Sequence, residues 1–229
     1  IYDLLNPQTA RAIYDECTEK LQTEEYRGQA LMKRFNVKVV CTTDDPADSL
    51  EYHKYINEHP FGVKVLPAWR PDKAMVIEKP VQYQEYVTRL EHVSGVSISG
   101  YQDLLDALRK RHDFFHEMGS RLSDHGLETF YAEDFTMEEI DRIFRNTLAG
   151  KMPTKEEVLK FRSAILLDFA RMDHEKGWVQ QFHIGAIRDN NTRMFNVLGP
   201  DTGYDAIHDV HCAAAGHKFF NRLAMEDKL

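Results

Sequence analysis

The sequence predicts an α/β fold with a mainly parallel sheet. Short apolar runs typical of buried strands alternate with helical patterns, and this alternation is typical of βαβ units. Polar residues directly follow several of these runs, as expected where the carboxyl ends of parallel strands gather. The 229 residues are 42% hydrophobic and 29% charged, which is ordinary for a protein with a substantial core.

In the first part of the chain, the sequence predicts two helices followed by a βαβ unit. Asn6-Pro7 is typical of a helix start, because a capping side chain precedes a proline, and the apolar residues between Ala10 and Leu21 then repeat at helical spacing. The remaining elements predicted here are a helix over about 26–35, a strand over 37–41, a helix reaching His59 and a strand over 63–67.

A helical excursion at about 75–120 then interrupts the alternation. Thr136, with Glu139 three residues later, forms a capping-box pattern before a later helix. The elements predicted from the excursion onward are helices near 83–92 and 101–118, an extended piece at 121–124, helices over 137–148 and 155–175, a strand over 179–184, a polar loop over 188–203 and a final helix over 205–226.

Charge and cysteine content limit the classes of function. A net charge of −8 argues against nucleic acid or an anionic membrane as a partner. The three cysteines, Cys17, Cys41 and Cys212, have neither CxxC spacing nor an even number, which favours reduced thiols in a cytoplasm. No apolar run is long enough for a membrane span, and no signal peptide pattern opens the chain. Because the sequence starts at Ile1 and stops directly after a helical pattern, we expect an internal segment.

Four polar clusters follow predicted strands and are the main indication of function. They are Thr42-Thr43-Asp44-Asp45, Trp69-Arg70-Pro71-Asp72, Ser123-Asp124-His125 and His183. Parallel strands bring their carboxyl ends to one edge of a sheet, so we expect these side chains to share a site.

Each candidate has a functional and a structural interpretation. His183 suits a neutral metal ligand, although the spacing alone favours a hydrogen-bonded core histidine. Arg70 suits a two-point grip on a carboxylate or phosphate, or an ion pair with Asp72. Asp45 suits an acid, a base or a cap. Asp124 and His125 suggest a proton-relay pair, although adjacent strand residues face opposite sides and only one is expected to face the site.

The helix-borne histidines are weaker candidates. His112 and His116 lie four residues apart, and His208, His211 and His217 fall within the predicted last helix. Neither set brings a further ligand from a strand end, so surface or packing roles are predicted. The sequence contains no P-loop, GxSxG, GxGxxG or HExxH motif.

Taken together, these clusters resemble those of uronate (glucuronate) isomerases. The resemblance is carried by four segments: Thr42-Thr43-Asp44-Asp45-Pro46, the run from Val65 to Ala74 that includes Trp69-Arg70-Pro71-Asp72-Lys73, Ser123-Asp124-His125, and the run from Gly177 to Gly185 that includes Gln180-Gln181-Phe182-His183-Ile184. The similarity continues through Arg188-Asp189-Asn190-Asn191 and Leu198-Gly199-Pro200-Asp201. It covers nearly the whole chain.

The resemblance implies a fold, a reaction and a site. The fold would be part of a (β/α)8 TIM-type barrel of the metal-dependent hydrolase kind, with helical insertions. The reaction would be the aldose–ketose isomerisation of D-glucuronate to D-fructuronate and of D-galacturonate to D-tagaturonate. Arg70 and Asp124 would be catalytic, Arg70, Trp69 and Arg188 would contact the substrate, and His183 would bind a divalent metal: zinc, with manganese or cobalt as alternatives. A cytoplasmic homo-oligomer is expected.

One departure from the family pattern leaves alternatives open. The family's first-strand His-x-His and last-strand aspartate, which hold the metal and serve proton transfer, are absent, and about four strands are recognisable where a barrel has eight. We therefore expect this segment alone to be inactive and the site to be completed by residues outside it. The alternatives are a metal-dependent hydrolase of the amidohydrolase superfamily and a non-catalytic fragment.

Overall fold

A computed structural model describes residues 2–209 and 211–229. The chain divides into two compact units. The first comprises Ile1–Thr42 and Glu51–Leu66, and the second comprises Thr43–Leu50 and Pro67–Leu229. Within the described ranges, no helix is both long enough and apolar enough to cross a membrane.

The first unit follows the predicted order of elements. It contains helices α1 (Ala10–Leu21), α2 (Gly28–Arg34) and α3 (Glu51–Glu58), most of strand β1 (Val39–Asp44) and the first half of strand β2 (Lys64–Trp69). The predicted cap, Asn6, lies one turn before α1: its Oδ1 accepts hydrogen bonds from the backbone N–H groups of Gln8 and Thr9 in the turn that leads into the helix, which begins at Ala10.

The second unit contains the long helices and the remaining strands. Its elements are α4 (Pro80–Ser94), α5 (Tyr101–Glu117), β3 (Leu122–Leu127), α6 (Met137–Leu148), α7 (Lys155–Lys176), β4 (Val179–Ile184), β5 (Ala186–Ile187), α8 (Thr192–Leu198), β6 (Ala206–Ile207) and α9 (Ala213–Met225). Helices α4 and α5 form the predicted excursion.

Four strands form one sheet in the order β1-β2-β3-β4. Strand β3 pairs in parallel with both β2 and β4. The register places Ser123 beside Trp69 on one side and beside Gln180 on the other, and it places Gly126 beside His183. The carboxyl ends of β3 and β4 therefore lie side by side, and the segment that follows Trp69 continues beside β3.

The core of the second unit lies between the sheet and helices α4 to α7, and its largest members are aromatic. The side chains of Trp69, Phe115, Phe144, Phe161 and Phe169 are all fully buried. The Trp69 ring meets the Phe169 ring edge-on, with centroids 5.2 Å apart, a geometry that aromatic quadrupoles favour. This packing fixes the end of β2, directly before Arg70.

Two predictions for the C-terminal part are corrected. The final helix begins at Ala213, not near Asp205, so His208 and His211 precede it and only His217 lies on it. The loop predicted over 188–203 contains α8, whose start is capped by the Asn191 side chain accepting from the Met194 N–H. This seven-residue helix is too short for its apolar periodicity to separate it from a loop.

Thr136 and Glu139 form the predicted capping box at the start of α6, each side chain bonding the other's backbone N–H. We expect Thr136→Ala to lower the free energy of unfolding by about 1 kcal/mol, because it leaves the Glu139 N–H without its intrahelical cap. Urea unfolding followed by circular dichroism measures this. Thr136→Ser, which keeps the hydroxyl, is the control and should stay within about 0.5 kcal/mol of the wild type; a Ser variant as unstable as the Ala variant would rule out the cap.

Candidate active site

Arg70, Asp124 and His183 meet at the carboxyl ends of β2, β3 and β4. Arg70 follows directly after β2, whereas Asp124 and His183 lie within their strands. The Arg70 Nη2 is 2.9 Å from the His183 Nε2, and the Asp124 carboxylate lies 3.6 Å from the Arg70 Nε and 3.4 Å from the His183 Nε2. Three residues from separate strands thus form one cluster, as predicted.

The contacts of Arg70 define which atoms are available to a ligand. A guanidinium only donates hydrogen bonds, so the His183 Nε2 must be the acceptor of the bond from Nη2. The Arg70 Nε donates to the Asp72 Oδ2 at 3.1 Å. The Nη1 atom has no hydrogen-bond partner in the described part of the chain. Its edge of the guanidinium is therefore free to bind an anion, and the ion pair with Asp72 coexists with that role.

Gly126 provides the space in which Arg70 and His183 meet. A Cβ atom at this position would lie 2.4 Å from the Arg70 Nη2 and 2.8 Å from the His183 Cε1. The Gly126 N–H also donates to the Asp72 Oδ2 at 2.9 Å. A residue with any side chain at 126 would displace one or both of these groups.

Asp72 is the ionised partner that holds Arg70. Burial alone would raise the pKa of Asp72, but its contacts with His125, the Gly126 N–H and Arg70 outweigh burial and lower that pKa below its ordinary value. Its second oxygen, Oδ1, faces the His125 Nδ1 at 3.4 Å, and both atoms are buried without a hydrogen-bond partner in the described residues.

A buried polar chain continues from His125 into the helical layer. The His125 Nε2 lies 3.1 Å from the Ser123 Oγ, which donates to the Asp173 Oδ2 at 2.5 Å. The other Asp173 oxygen accepts from the His112 Nε2 at 2.9 Å. His125, Ser123, Asp173 and His112 are all at most 2% exposed. His112 thus has the packing role predicted for it, and it is buried.

Trp69 and Arg188 do not join the cluster. Trp69 is fully buried in the core, edge-on to His112 as well as to Phe169, which leaves no surface for a substrate. The expected substrate contact is therefore replaced by a packing role. Arg188 pairs with Asp205 at 2.6 Å and lines a separate cavity of about 660 Å³.

Asp45 stabilises a turn. Its Oδ1 accepts from the Ala47 N–H at 2.9 Å, its Oδ2 lies 3.3 Å from the Lys73 ammonium, and its own N–H donates to the Asp48 carboxylate. Helix α3 starts later, at Glu51. The expected capping role is thus fulfilled at the turn after β1 and not at the helix terminus.

Gly126 was not predicted as a member of the site, and the contacts that Asp72 and His125 make in it were not predicted. The sequence suggested Asp72 only as the partner of Arg70 in a structural ion pair. It suggested His125 only as one member of a proton-relay pair with Asp124. The available signal was the spacing Asp124-His125-Gly126 on one strand, because a glycine within a strand marks a close approach of other groups.

The family profile of glucuronate isomerases matches residues 1–229, the full chain. The chain belongs to the glucuronate isomerase family. Among its relatives, the uronate isomerase of Bacteroides thetaiotaomicron is 58% identical over 226 residues, covering 99% of this chain and 48% of that protein.

Two solved structures are similar in fold to this glucuronate isomerase family member. The uronate isomerase of Thermotoga maritima superposes with a TM-score of 0.91 at 33% identity, over 100% of this chain and 50% of that one. The glucuronate isomerase of Caulobacter crescentus gives a TM-score of 0.87 at 30% identity, over 96% of this chain and 46% of that one. The chain spans about half the length of the relatives it matches. The α/β class and the predicted partial barrel are thereby confirmed.

Two side chains of the cluster could act as donors to the divalent metal that the resemblance implies. The His183 Nε2 and the Asp124 Oδ1 lie 3.4 Å apart and are of the types that zinc accepts. No group of three or more His, Cys, Asp or Glu side chains that could hold a metal occurs within residues 2–209 and 211–229. The Arg70 Nη2 also points at the His183 lone pair. The donors therefore suit part of a metal site and do not complete one.

Proposed function

We propose that the complete protein interconverts D-glucuronate with D-fructuronate, and D-galacturonate with D-tagaturonate. The observation that supports this most directly is the meeting of Arg70, Asp124 and His183 at three neighbouring strand ends. Membership of the glucuronate isomerase family supports the same reaction. A uronate needs a cationic group for its carboxylate and a separate base for its reacting carbon, and the cluster offers both.

Arg70 would bind the substrate carboxylate. The free Nη1 edge can donate to a carboxylate while Asp72 holds the Nε. Because the carboxylate does not react, this contact orients the sugar and fixes the distance from the bound end to the reacting carbon.

Asp124 would serve as the base. Aldose–ketose isomerisation moves a proton from C2 to C1 through an enediolate, so one carboxylate can accept the proton from one carbon and return it to the next. The Asp124 side chain is only 13% exposed, and Arg70 and His183 face it. A divalent metal, when bound, would polarise the carbonyl and hydroxyl oxygen atoms of the substrate.

His183 would supply one metal ligand, zinc being the first choice and manganese or cobalt the alternatives. Binding a metal at the Nε2 requires Arg70 Nη2 to leave that atom, since both need the same lone pair. Arg188 would make a second substrate contact only after exchanging its bond with Asp205. The remaining metal ligands would be provided from outside this chain. We further propose that the protein is a cytoplasmic homo-oligomer.

Arg70→Lys in the complete protein should weaken uronate binding and turnover by on the order of 1.5–3 kcal/mol, because an ammonium cannot reproduce the planar grip. Steady-state kinetics with D-glucuronate measure the change. Arg142→Lys, in an exposed ion pair with Glu157, is the matched control and should leave kcat/KM unchanged. Unchanged kinetics in Arg70→Lys would remove Arg70 from the site.

The reaction itself is tested by incubating the complete protein with D-glucuronate and following ketose formation. Amide and lactone hydrolysis are measured in parallel with the same preparation. Isomerisation without hydrolysis is the expected result. Hydrolysis without isomerisation would overturn the proposal in favour of a hydrolase, and neither activity in a protein that also fails to bind uronate would favour a non-catalytic role.

A further inference from the structure

The strongest feature outside the proposed chemistry is the pair of buried atoms between Asp72 and His125. The Asp72 Oδ1 and the His125 Nδ1 face each other at 3.4 Å, longer than an ordinary hydrogen bond, and neither has another partner in the described residues. Buried polar atoms are rarely left in this state, since an unmade hydrogen bond is unfavourable, so such a pair calls for a physical explanation.

The other contacts of Asp72 indicate what the pair does. Its Oδ2 accepts both from the Arg70 Nε and from the Gly126 N–H, so this one carboxylate ties the guanidinium to the backbone of β3. A carboxylate held at two points sets the plane of an arginine side chain, which is otherwise flexible. Asp72 lies in the short helical turn Asp72–Met75. It contacts Arg70 at the Nε, so the Nη1 edge stays unoccupied.

Contacts on the side of the ring away from Asp72 hold His125 in place. The Ser123 Oγ, which donates to Asp173, lies 3.1 Å from the His125 Nε2. The amide nitrogen of Gln180 lies 3.2 Å from the same nitrogen and can only donate, so the His125 Nε2 accepts from it and a ring proton lies on Nδ1. The His125 ring also stacks at 5.4 Å on Phe182 and at 5.9 Å on Phe169. The imidazole is held by these two ring contacts and along its Nε2 edge, and its Nδ1 is directed at Asp72.

We propose that Asp72 and His125 are positioning residues for Arg70: the Asp72 carboxylate sets the plane of the guanidinium, and His125 holds that carboxylate in place. The proposal rests on the proposed function, in which Arg70 binds the substrate carboxylate. It assigns Asp72 and His125 no contact with the substrate. Their loss should therefore act on uronate affinity through Arg70.

A double-mutant cycle in the complete protein tests this. The affinity for D-glucuronate is measured by calorimetry, and KM and kcat by steady-state kinetics, for the wild type, Asp72→Asn, Arg70→Ala and the double variant. We expect Asp72→Asn to weaken binding about tenfold, with a larger rise in KM than fall in kcat, because the non-reacting end of the substrate is affected. In the Arg70→Ala background the same change should have no further effect, since the group that Asp72 positions is absent.

The controls separate the possible failures. Asp113→Asn removes the same charge from an exposed pair with Lys176 and should bind as the wild type does. If Asp72→Asn does not fold, as judged by circular dichroism, His125→Asn replaces it and should show the same coupling to Arg70. A wild type that binds no uronate would overturn the proposed function. Normal binding by the folded positioning variant, or an equal loss with and without Arg70, would overturn the positioning role alone.

Discussion

Gly126→Ala should nearly abolish isomerisation while leaving the protein folded. The new Cβ would stand 2.4 Å from the Arg70 Nη2 and 2.8 Å from the His183 Cε1, and both distances are too short for non-bonded atoms. The Arg70 Nη2 is at the end of a flexible side chain, so the clash is relieved when the guanidinium and the His183 imidazole move away from Gly126. Two contacts worth roughly 1.5–3 kcal/mol each are displaced together, which corresponds to a loss of about 10²- to 10⁴-fold in kcat/KM.

The control for this prediction is Gly28→Ala, at the start of α2. A Cβ there meets no atom within 4 Å, so turnover should stay at the wild-type value. Circular dichroism and unfolding temperature are measured for both variants. Wild-type activity in a folded Gly126→Ala variant would show that the Arg70–His183 geometry does not matter for the reaction.

Asp173→Ala should destabilise the protein more than loss of the Thr136 cap does. The Asp173 carboxylate accepts from both the His112 Nε2 and the Ser123 Oγ, and all three side chains are buried. Removing it leaves two buried donors without an acceptor, each at about 1–3 kcal/mol, so we expect a loss of roughly 2–6 kcal/mol in the free energy of unfolding. Urea unfolding of the complete protein measures the loss.

Glu175→Ala, two residues further along the same helix, is the matched control. Glu175 pairs with Arg109 at the surface, with both side chains close to half exposed. A pair of this kind contributes at most about 1 kcal/mol. Equal destabilisation by the two substitutions would mean that the buried polar chain contributes no more than a surface ion pair.

The sequence predicted the strands and the long helices because their patterns repeat over enough residues. The boundaries of α6 (137–148) and β4 (179–184) were predicted as observed, the first through its capping box and the second through its apolar run. The short helix α8 has too few turns to show a period, and its neighbourhood was assigned to a loop.

The sequence predicted which residues come together in the site, but only some of the contacts between them. Strand ends indicated that Arg70, Asp124 and His183 would meet, because parallel strands share an edge. Spacing along one strand could not show that Asp72 bridges Arg70 and His125, since that depends on the turn after β2. The placement of Trp69 has a different cause: adjacent residues on a strand point to opposite faces, and Trp69 faces the helices.

Along strand β3, buried positions alternate with positions that face the site. Ser123, His125 and Leu127 are buried, whereas Asp124 and Gly126 face Arg70 and His183. Saturation mutagenesis aimed at a new sugar acid could therefore sample Asp124 while 123, 125 and 127 stay constant. Random substitution across the whole strand would fill such a library with misfolded members, because one position in two belongs to the interior.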